Sequence, residues 1–168
     1  MRLYLVRHAE AVERSGAVLE THRFLTAKGR LAFRDISRRV RELGASPEII
    51  FSSPLVRAVQ TAEILSERLK YRGEIVVAPE LSPGFDHRAL RSLLAAAGHP
   101  REAAFVGHEP DLGELAAFLL SPAVEEFPLR KGAVLGLEAE DVSEGSGRFL
   151  WRADGKGTVQ RLSEAMEN

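Results

Sequence analysis

Two short apolar runs in this chain each end in a histidine, and the first also carries an arginine. Arg7-His8 follows the apolar residues 3–6, and His108 follows residues 103–106 after a single glycine. Runs of this kind are typical of buried strands, and in an open α/β sheet ligands bind beyond the carboxyl ends of the strands. Arginine also offers a planar fork of donors that matches phosphate oxygens. The placement indicates a site for a phosphorylated ligand.

A third strand end, lying between these two in the sequence, supplies a second arginine. The apolar residues 49–51 lead through Ser53 into a helical pattern that carries Arg57 in its first turn. Unpaired N–H groups and the dipole at a helix N-terminus favour an anion. Ser53 could donate its hydroxyl to the same anion, or it could cap the helix. The sequence thus predicts a pocket in which two guanidinium and two imidazole groups surround an anion.

Strands and helices alternate along the chain and must position these groups. The predicted strands are 2–6, 48–51, 75–78, 103–106, 133–138 and 148–153, and the predicted helices are 27–43, 54–70, 87–97 and 110–120. Alternation of this kind implies βαβ units and a mainly parallel sheet covered on both faces, that is, an α/β fold. The last two strands are expected to pair as an antiparallel hairpin at an edge. A length of 168 residues without an internal linker predicts one domain over 1–168.

These residues, in this order, resemble the histidine phosphatase superfamily, which has a phosphoglycerate-mutase-like fold. The matching segments are residues 7–10, 25–29, 53–62 and 107–108. Residues 107–113 and 129–133 are most similar to its compact phosphohistidine phosphatase (SixA-type) branch. The resemblance extends as far as Leu137, and no motif is matched after it. It implies a three-layer αβα sandwich around a mixed, mainly parallel sheet of about six strands.

The chemistry of such a pocket follows from its side chains. A neutral imidazole is a good nucleophile toward phosphorus, and an ordinary pKa of about 6.5 leaves most histidine neutral near pH 7. His8 is the candidate nucleophile, and its attack would give a phosphohistidine intermediate that water then hydrolyses. Negative charge on the phosphoryl oxygens would be stabilised by Arg7, Arg57 and His108.

An acid for the leaving group is less evident. Related mutases and phosphomonoesterases place a carboxylate on the loop after the third strand, where this chain offers Glu80 and Asp86. Each could equally be an ordinary exposed carboxylate, and Glu80 is taken with Ser53 as a substrate-binding candidate. Imidazole leaves phosphorus far more readily than an alkoxide does, so a site without a clear acid would suit phosphohistidine.

The predicted function is the hydrolysis of phosphohistidine in a protein, such as a phosphotransfer-type domain. No insertion is long enough to fold a lid over the pocket, and small-molecule sites usually enclose their ligand. The alternative is a phosphomonoesterase or mutase acting on a small phosphorylated metabolite. A phosphate-binding module without turnover is a third hypothesis, against which the complete set of Arg7, His8, Arg57 and His108 argues.

Composition excludes several other classes. A net charge of −1 argues against nucleic acid as a partner, and the absence of cysteine removes every thiolate mechanism. Arg7 and Arg57 would repel a cation from the histidines, so neither a metal nor another cofactor is predicted. The apolar run at residues 3–6 is too short for a signal peptide or a membrane span. We therefore expect no membrane partner and a cytoplasmic protein.

Overall fold

A computed structural model describes residues 1–167, which form one seven-stranded sheet with helices on both faces. The strands are β1 (Arg2–Arg7), β2 (Ile49–Ser52), β3 (Ile75–Val77), β4 (Glu102–Gly107), β5 (Val134–Ala139), β6 (Gly147–Asp154) and β7 (Gly157–Val159). The helices are α1 (Ala27–Glu42), α2 (Val56–Leu69), α3 (His87–Ala96), α4 (Asp111–Leu120) and α5 (Leu162–Met166), with two short 3₁₀ helices at Glu20–His22 and Pro79–Leu81. The strand order is β3-β2-β4-β1-β5-β6-β7.

The register of the central strands aligns their carboxyl ends. Strands β3, β2, β4 and β1 run parallel, whereas β5, β6 and β7 are each antiparallel to the strand before them in the sheet. Arg7, at the end of β1, lies opposite Gly107, and Ser52, at the end of β2, lies opposite Val106. The residues that leave β1, β2 and β4 therefore emerge side by side at one edge of the sheet.

Alternating side chains of the central strands serve two separate cores. Leu3 and Leu5 of β1 pack into one core, which contains the buried faces of α3 and α4, while Tyr4 and Val6 pack into the other with α1 and α2. A strand covered on both faces is apolar at every position, which is why residues 3–6 form a continuous apolar run rather than an alternating one. This layering confirms the predicted α/β fold with an αβα arrangement.

The start of α1 is fixed against the segment that follows β1. Thr26 caps the helix by accepting a hydrogen bond from the Gly29 N–H at 2.9 Å, and its own hydroxyl donates to the Glu10 carboxylate at 2.9 Å. A Cβ on Gly29 would lie 2.3 Å from the Glu10 carbonyl oxygen, so only glycine permits this close approach. The chain just beyond His8 is therefore held against a rigid helix.

The elements predicted from the sequence are present with small changes at their ends, but two C-terminal elements were missed. Helix α2 begins at Val56 rather than at residue 54, and β7 and α5 had no prediction. The expectation of a hairpin at the edge was right about the antiparallel pairing of β5 with β6 but wrong about the edge, because β7 covers β6. A strand of three residues and a helix of five are too short to show a hydrophobic period.

Candidate active site

Backbone hydrogen bonds between neighbouring strand ends hold the candidate residues in place. The His8 N–H donates to the Gly107 carbonyl at 3.1 Å, and the Ser53 N–H donates to the Val106 carbonyl at 2.9 Å. The His8 carbonyl accepts from the Gly132 N–H at 3.0 Å, just before β5. His8 and His108 consequently lie close together, with ring centroids 5.3 Å apart and an interplanar angle of 55°. The expected convergence of the two histidines is what the structure shows.

The hydrogen bonding of His8 leaves its ring nitrogen Nε2 without a proton, so that this nitrogen presents a lone pair. Its Nδ1 lies 2.8 Å from the Ala9 carbonyl oxygen, which can only accept, so Nδ1 carries the proton and Nε2 does not. The pKa of His8 is lowered to about 3, chiefly by burial and further by His108, Arg57 and Arg7, against the opposing effect of the Ala9 hydrogen bond. His8 is therefore neutral at physiological pH, in the form that can attack phosphorus.

Arg57 lies directly against this nitrogen. Its Nε–H donates to Nε2 of His8 at 3.3 Å, and its side chain is only 6% exposed. Burial lowers the pKa of the Arg57 guanidinium, but the group stays charged because arginine is the most basic side chain. Thr61, one turn further along α2, donates its hydroxyl to the Arg57 carbonyl at 2.7 Å and accepts from the Ala9 N–H at 3.0 Å. Thr61 thus ties the helix that carries Arg57 to the segment that carries His8.

His108 and Ser53 form a second buried pair at 2.7 Å, joining Nε2 to Oγ. Ser53 Oγ also accepts from the Leu55 N–H at 3.3 Å, so its own proton is available to His108. Within residues 1–167, Nδ1 of His108 is buried with no hydrogen-bond partner. The pKa of His108 is lowered to about 4 by burial together with the charges of Arg57 and Arg7, against the opposing effect of Glu20. A neutral ring that accepts from Ser53 would present Nδ1–H as a donor to an anion.

Arg7 is oriented by a backbone carbonyl group and interacts electrostatically with the carboxyl group of Glu109. One of its terminal nitrogens donates to the Leu129 carbonyl at 2.7 Å, and its Nε is buried without a partner in the described chain. Glu109 is half-buried, and burial raises its pKa to about 7 against the lowering effects of Arg7 and of the backbone N–H groups of Leu129 and Gly113. The Glu109 carboxyl group therefore sits in the electrostatic surroundings of Arg7.

Two glutamates at the site were not predicted as functional groups. Glu109 directly follows His108 in the sequence, and that adjacency was the one signal available for it. Glu20 lies in the segment between β1 and α1, where its carboxylate oxygen Oε1 accepts from a terminal nitrogen of Arg57 at 3.1 Å. No periodicity or motif marked that segment, so its approach to Arg57 could be found only from the structure.

The two acidic candidates on the loop after β3 lie in different settings. Glu80 is exposed on the 3₁₀ helix Pro79–Leu81. Asp86 caps α3, accepting hydrogen bonds from the N–H groups of Arg88 and Ala89 at 3.0 and 2.9 Å, and these bonds contribute to a lowered pKa of its carboxyl group. A carboxylate held in this way stays ionised and is poorly suited to donating a proton.

The assembled groups define an anion site with a neutral imidazole at its base. The buried guanidinium group of Arg57 contacts Nε2 of His8, while the partly buried Arg7 and Nδ1 of His108, which has no partner among residues 1–167, lie at the neighbouring strand ends. This arrangement can bind a phosphoryl group and attack it. Among residues 1–167, no group of three or more His, Asp and Glu side chains is placed to hold a metal ion. In the same part of the chain no helix is long and apolar enough to cross a membrane.

Comparison with known proteins establishes the family. The sequence profile of the histidine phosphatase superfamily, branch 1, matches residues 3–83. An uncharacterized protein of Picosynechococcus is 34% identical over 146 residues, which cover 83% of this chain and 86% of that protein. The chain belongs to the histidine phosphatase superfamily, whose members are phosphatases. The resemblance that was carried by Arg7-His8, residues 53–62 and His108 is thereby confirmed.

Solved structures confirm the fold. The protein histidine phosphatase SixA complexed with tungstate superposes with a TM-score of 0.80 at 24% identity, over 93% of this chain and 98% of that one. A mycobacterial glucosyl-3-phosphoglycerate phosphatase superposes with a TM-score of 0.63 at 20% identity, over 88% of this chain and 96% of that one. Identities at this level bear on the fold alone, and the phosphoglycerate-mutase-like architecture is the one expected from the sequence.

Proposed function

We propose that this protein is a phosphohistidine phosphatase that hydrolyses a phosphoryl group carried on a histidine of another protein. The observation that carries the proposal is the hydrogen bonding of His8, from which its tautomer follows. Its proton is held on Nδ1 by the Ala9 carbonyl, and its Nε2 lone pair faces the Arg57 guanidinium at 3.3 Å. A buried, neutral and oriented imidazole beside a phosphate-binding cation can act as a nucleophile toward phosphorus.

In the first step, the Nε2 lone pair of His8 forms a bond to phosphorus while the bond from phosphorus to the leaving group breaks. Charge on the phosphoryl oxygens is balanced by Arg57, by Arg7 and by the Nδ1–H of His108. The proton on Nδ1 of His8 stays on the ring in its hydrogen bond to Ala9. That bond supports the positive charge that the ring gains when it carries the phosphoryl group.

In the second step, water attacks the phosphorus and the N–P bond breaks. The electron pair returns to Nε2 of His8, one proton of the water is lost to a phosphate oxygen or to solvent, and inorganic phosphate departs. The neutral ring with its proton on Nδ1 is restored. The water molecule takes the position that the leaving group held, in line with the bond that it breaks.

Phosphohistidine suits this site because its leaving group needs little assistance. A phosphorylated imidazole whose other nitrogen carries a proton departs as neutral imidazole, so no acid has to reach the departing nitrogen. Asp86 is engaged as a helix cap, and Glu80 is exposed, so neither is a strong candidate acid. A phosphate ester, by contrast, would release an alkoxide that must be protonated.

The nucleophile can be tested by trapping. Brief incubation with a ³²P-labelled, histidine-phosphorylated phosphotransfer domain, followed by denaturation in base, should leave an acid-labile, base-stable label on His8. The label should be absent from His8→Ala and present in His99→Asn. The second variant is a control, because His99 is exposed and its backbone has a φ of +56°, a conformation that asparagine tolerates. Turnover with no label, or label that persists in His8→Ala, would contradict the proposal.

The alternative substrate class is a small phosphorylated metabolite. We keep this alternative because a glucosyl-3-phosphoglycerate phosphatase shares the fold. Rates on the phosphorylated protein should be compared with rates on sugar and glycerate phosphates. We expect the phosphoprotein to be the better substrate by kcat/KM, consistent with a role in signal transduction in the cytoplasm. Efficient turnover of a metabolite, with none of the phosphoprotein, would reverse the assignment.

A further inference from the structure

Three arginines converge on the carboxylate of Glu20 at the mouth of the site. Oε1 accepts from Arg57 at 3.1 Å and from Arg23 at 2.9 Å, and Oε2 accepts from Arg14 at 3.2 Å. The backbone carbonyl of Glu20 also accepts from the second terminal nitrogen of Arg57, at 2.9 Å. Glu20 is thus bound to the same guanidinium that is predicted to hold the phosphoryl group.

Glu20 lies on the solvent side of that guanidinium. The Arg57 side chain is 6% exposed and that of Glu20 is 44% exposed, whereas His8 lies beneath, in contact with the Arg57 Nε. In an in-line displacement the leaving group departs from the face of the phosphorus opposite the nucleophile. A leaving group that departed from His8 toward solvent along this side would pass the Glu20 carboxylate.

Two contacts other than the one to Arg57 would hold the Glu20 carboxylate in place if a phosphoryl group replaced it on Arg57. Arg23 keeps its own bond to Glu20 Oε1, and its side chain is fixed by donating from Nε to the Val12 carbonyl at 2.9 Å. Arg23 is only 12% exposed, so this tether has little freedom to move. Arg14 provides a second, exposed tether.

We propose that Glu20 selects substrates by the charge of the leaving group, disfavouring anionic ones and favouring neutral or cationic ones such as the imidazole of phosphohistidine. The inference rests on the proposed function for the identity of the preferred substrate, but the selection itself is a property of binding. A carboxylate repels a second anionic group held beside the phosphoryl group and attracts a protonated imidazole. If Glu20 were absent, the three remaining arginines would together favour a ligand with a second negative charge. These arginines are Arg14, Arg23 and Arg57.

A matched pair of ligands isolates this effect. Glycerol 3-phosphate and 3-phosphoglycerate are alike in size, but the second carries a carboxylate on the part that would leave. Dissociation constants should be measured by calorimetry in His8→Ala, in which we expect no turnover, and in the same variant with Glu20→Gln. A third protein carries His8→Ala and Glu13→Gln. Its second substitution removes an exposed charge from the same segment and therefore controls for the change in net charge.

We expect Glu20→Gln to tighten 3-phosphoglycerate relative to glycerol 3-phosphate by about tenfold, the scale of one like-charge contact near a protein surface. Glu13→Gln should leave that ratio unchanged. Equal tightening of both ligands would overturn the inference, because Glu20 would then only compete for Arg57. Failure of both ligands to bind any of the proteins would overturn it as well.

The outcome is separable from that of the proposed function. If the wild-type protein hydrolyses phosphohistidine but Glu20→Gln leaves the ratio of the two dissociation constants unchanged, the proposed function is supported and the selection by Glu20 is refuted. If the ratio moves but the trapping experiment gives no label on His8, the selection stands as a binding property and the proposed reaction falls.

Discussion

Replacing Glu109 with glutamine should change the pH dependence of stability in a direction fixed by the burial of its carboxyl group. Burial raises the pKa of Glu109 from an ordinary 4.5 to about 7. Each pKa unit corresponds to about 1.4 kcal/mol, so the ionised group destabilises the folded chain by up to about 3 kcal/mol. Because the side chain is only half-buried, we expect about 1–3 kcal/mol.

The sign follows from proton binding. Below pH 4.5 the carboxyl group is protonated in the folded and the unfolded chain alike, and it resembles glutamine. Between pH 4.5 and about 7 the folded chain holds this proton more tightly, so Glu109 makes the wild type less stable as the pH rises. Glutamine does not ionise. The free energy of unfolding of Glu109→Gln, minus that of the wild type, should therefore increase over this range.

Urea unfolding at several pH values between roughly 4 and 8.5 measures this difference in the free energy of unfolding. The range covers the pH values over which the raised pKa of Glu109 should act. The buried histidines, with pKa values of about 3 and about 4, add a pH dependence of opposite sign that is common to both proteins and cancels. Glu63→Gln, which alters an exposed carboxylate on α2, should give a flat difference. A difference for Glu109→Gln that is flat or falls as the pH rises would refute the reasoning.

Three further substitutions test other parts of the structure. Arg57→Lys keeps the charge but loses the donor fork and the contact to His8, so kcat/KM on p-nitrophenyl phosphate should fall by about 10²–10³, and a loss below tenfold would show that the fork is dispensable. Gly113→Ala would place a Cβ 2.8 Å from both the Phe127 carbonyl oxygen and Glu109 Oε2, and should lower the free energy of unfolding in urea by about 1–3 kcal/mol; an unchanged midpoint would argue against the packing described. Asp86→Ala should lower it by about 1 kcal/mol through loss of the α3 cap while kcat/KM stays at the wild-type value, and a large loss of turnover would restore Asp86 as a candidate acid.

The sequence was most informative where residues are constrained by the sheet. His8 and His108 follow apolar runs that are buried on both faces, and the parallel register then brings the two rings together without further information. Glu20 could not be found in this way, because it lies in a segment with no period and reaches Arg57 through side-chain contacts. Glu109 was visible as a neighbour of His108, but its raised pKa depends on the burial of its carboxyl group in the folded chain, which the sequence does not display.

The hydrogen bonds that lock the strand ends have a consequence for how this protein can change. The proposed nucleophile and its partner are anchored by hydrogen bonds at the strand ends, whereas the charges proposed to meet the departing group lie on residues 12–24, outside the sheet. Reactivity and recognition are therefore encoded in separate stretches of the gene. Exchange of the recognition stretch between relatives offers a route to new substrates that leaves the reacting atoms where they are.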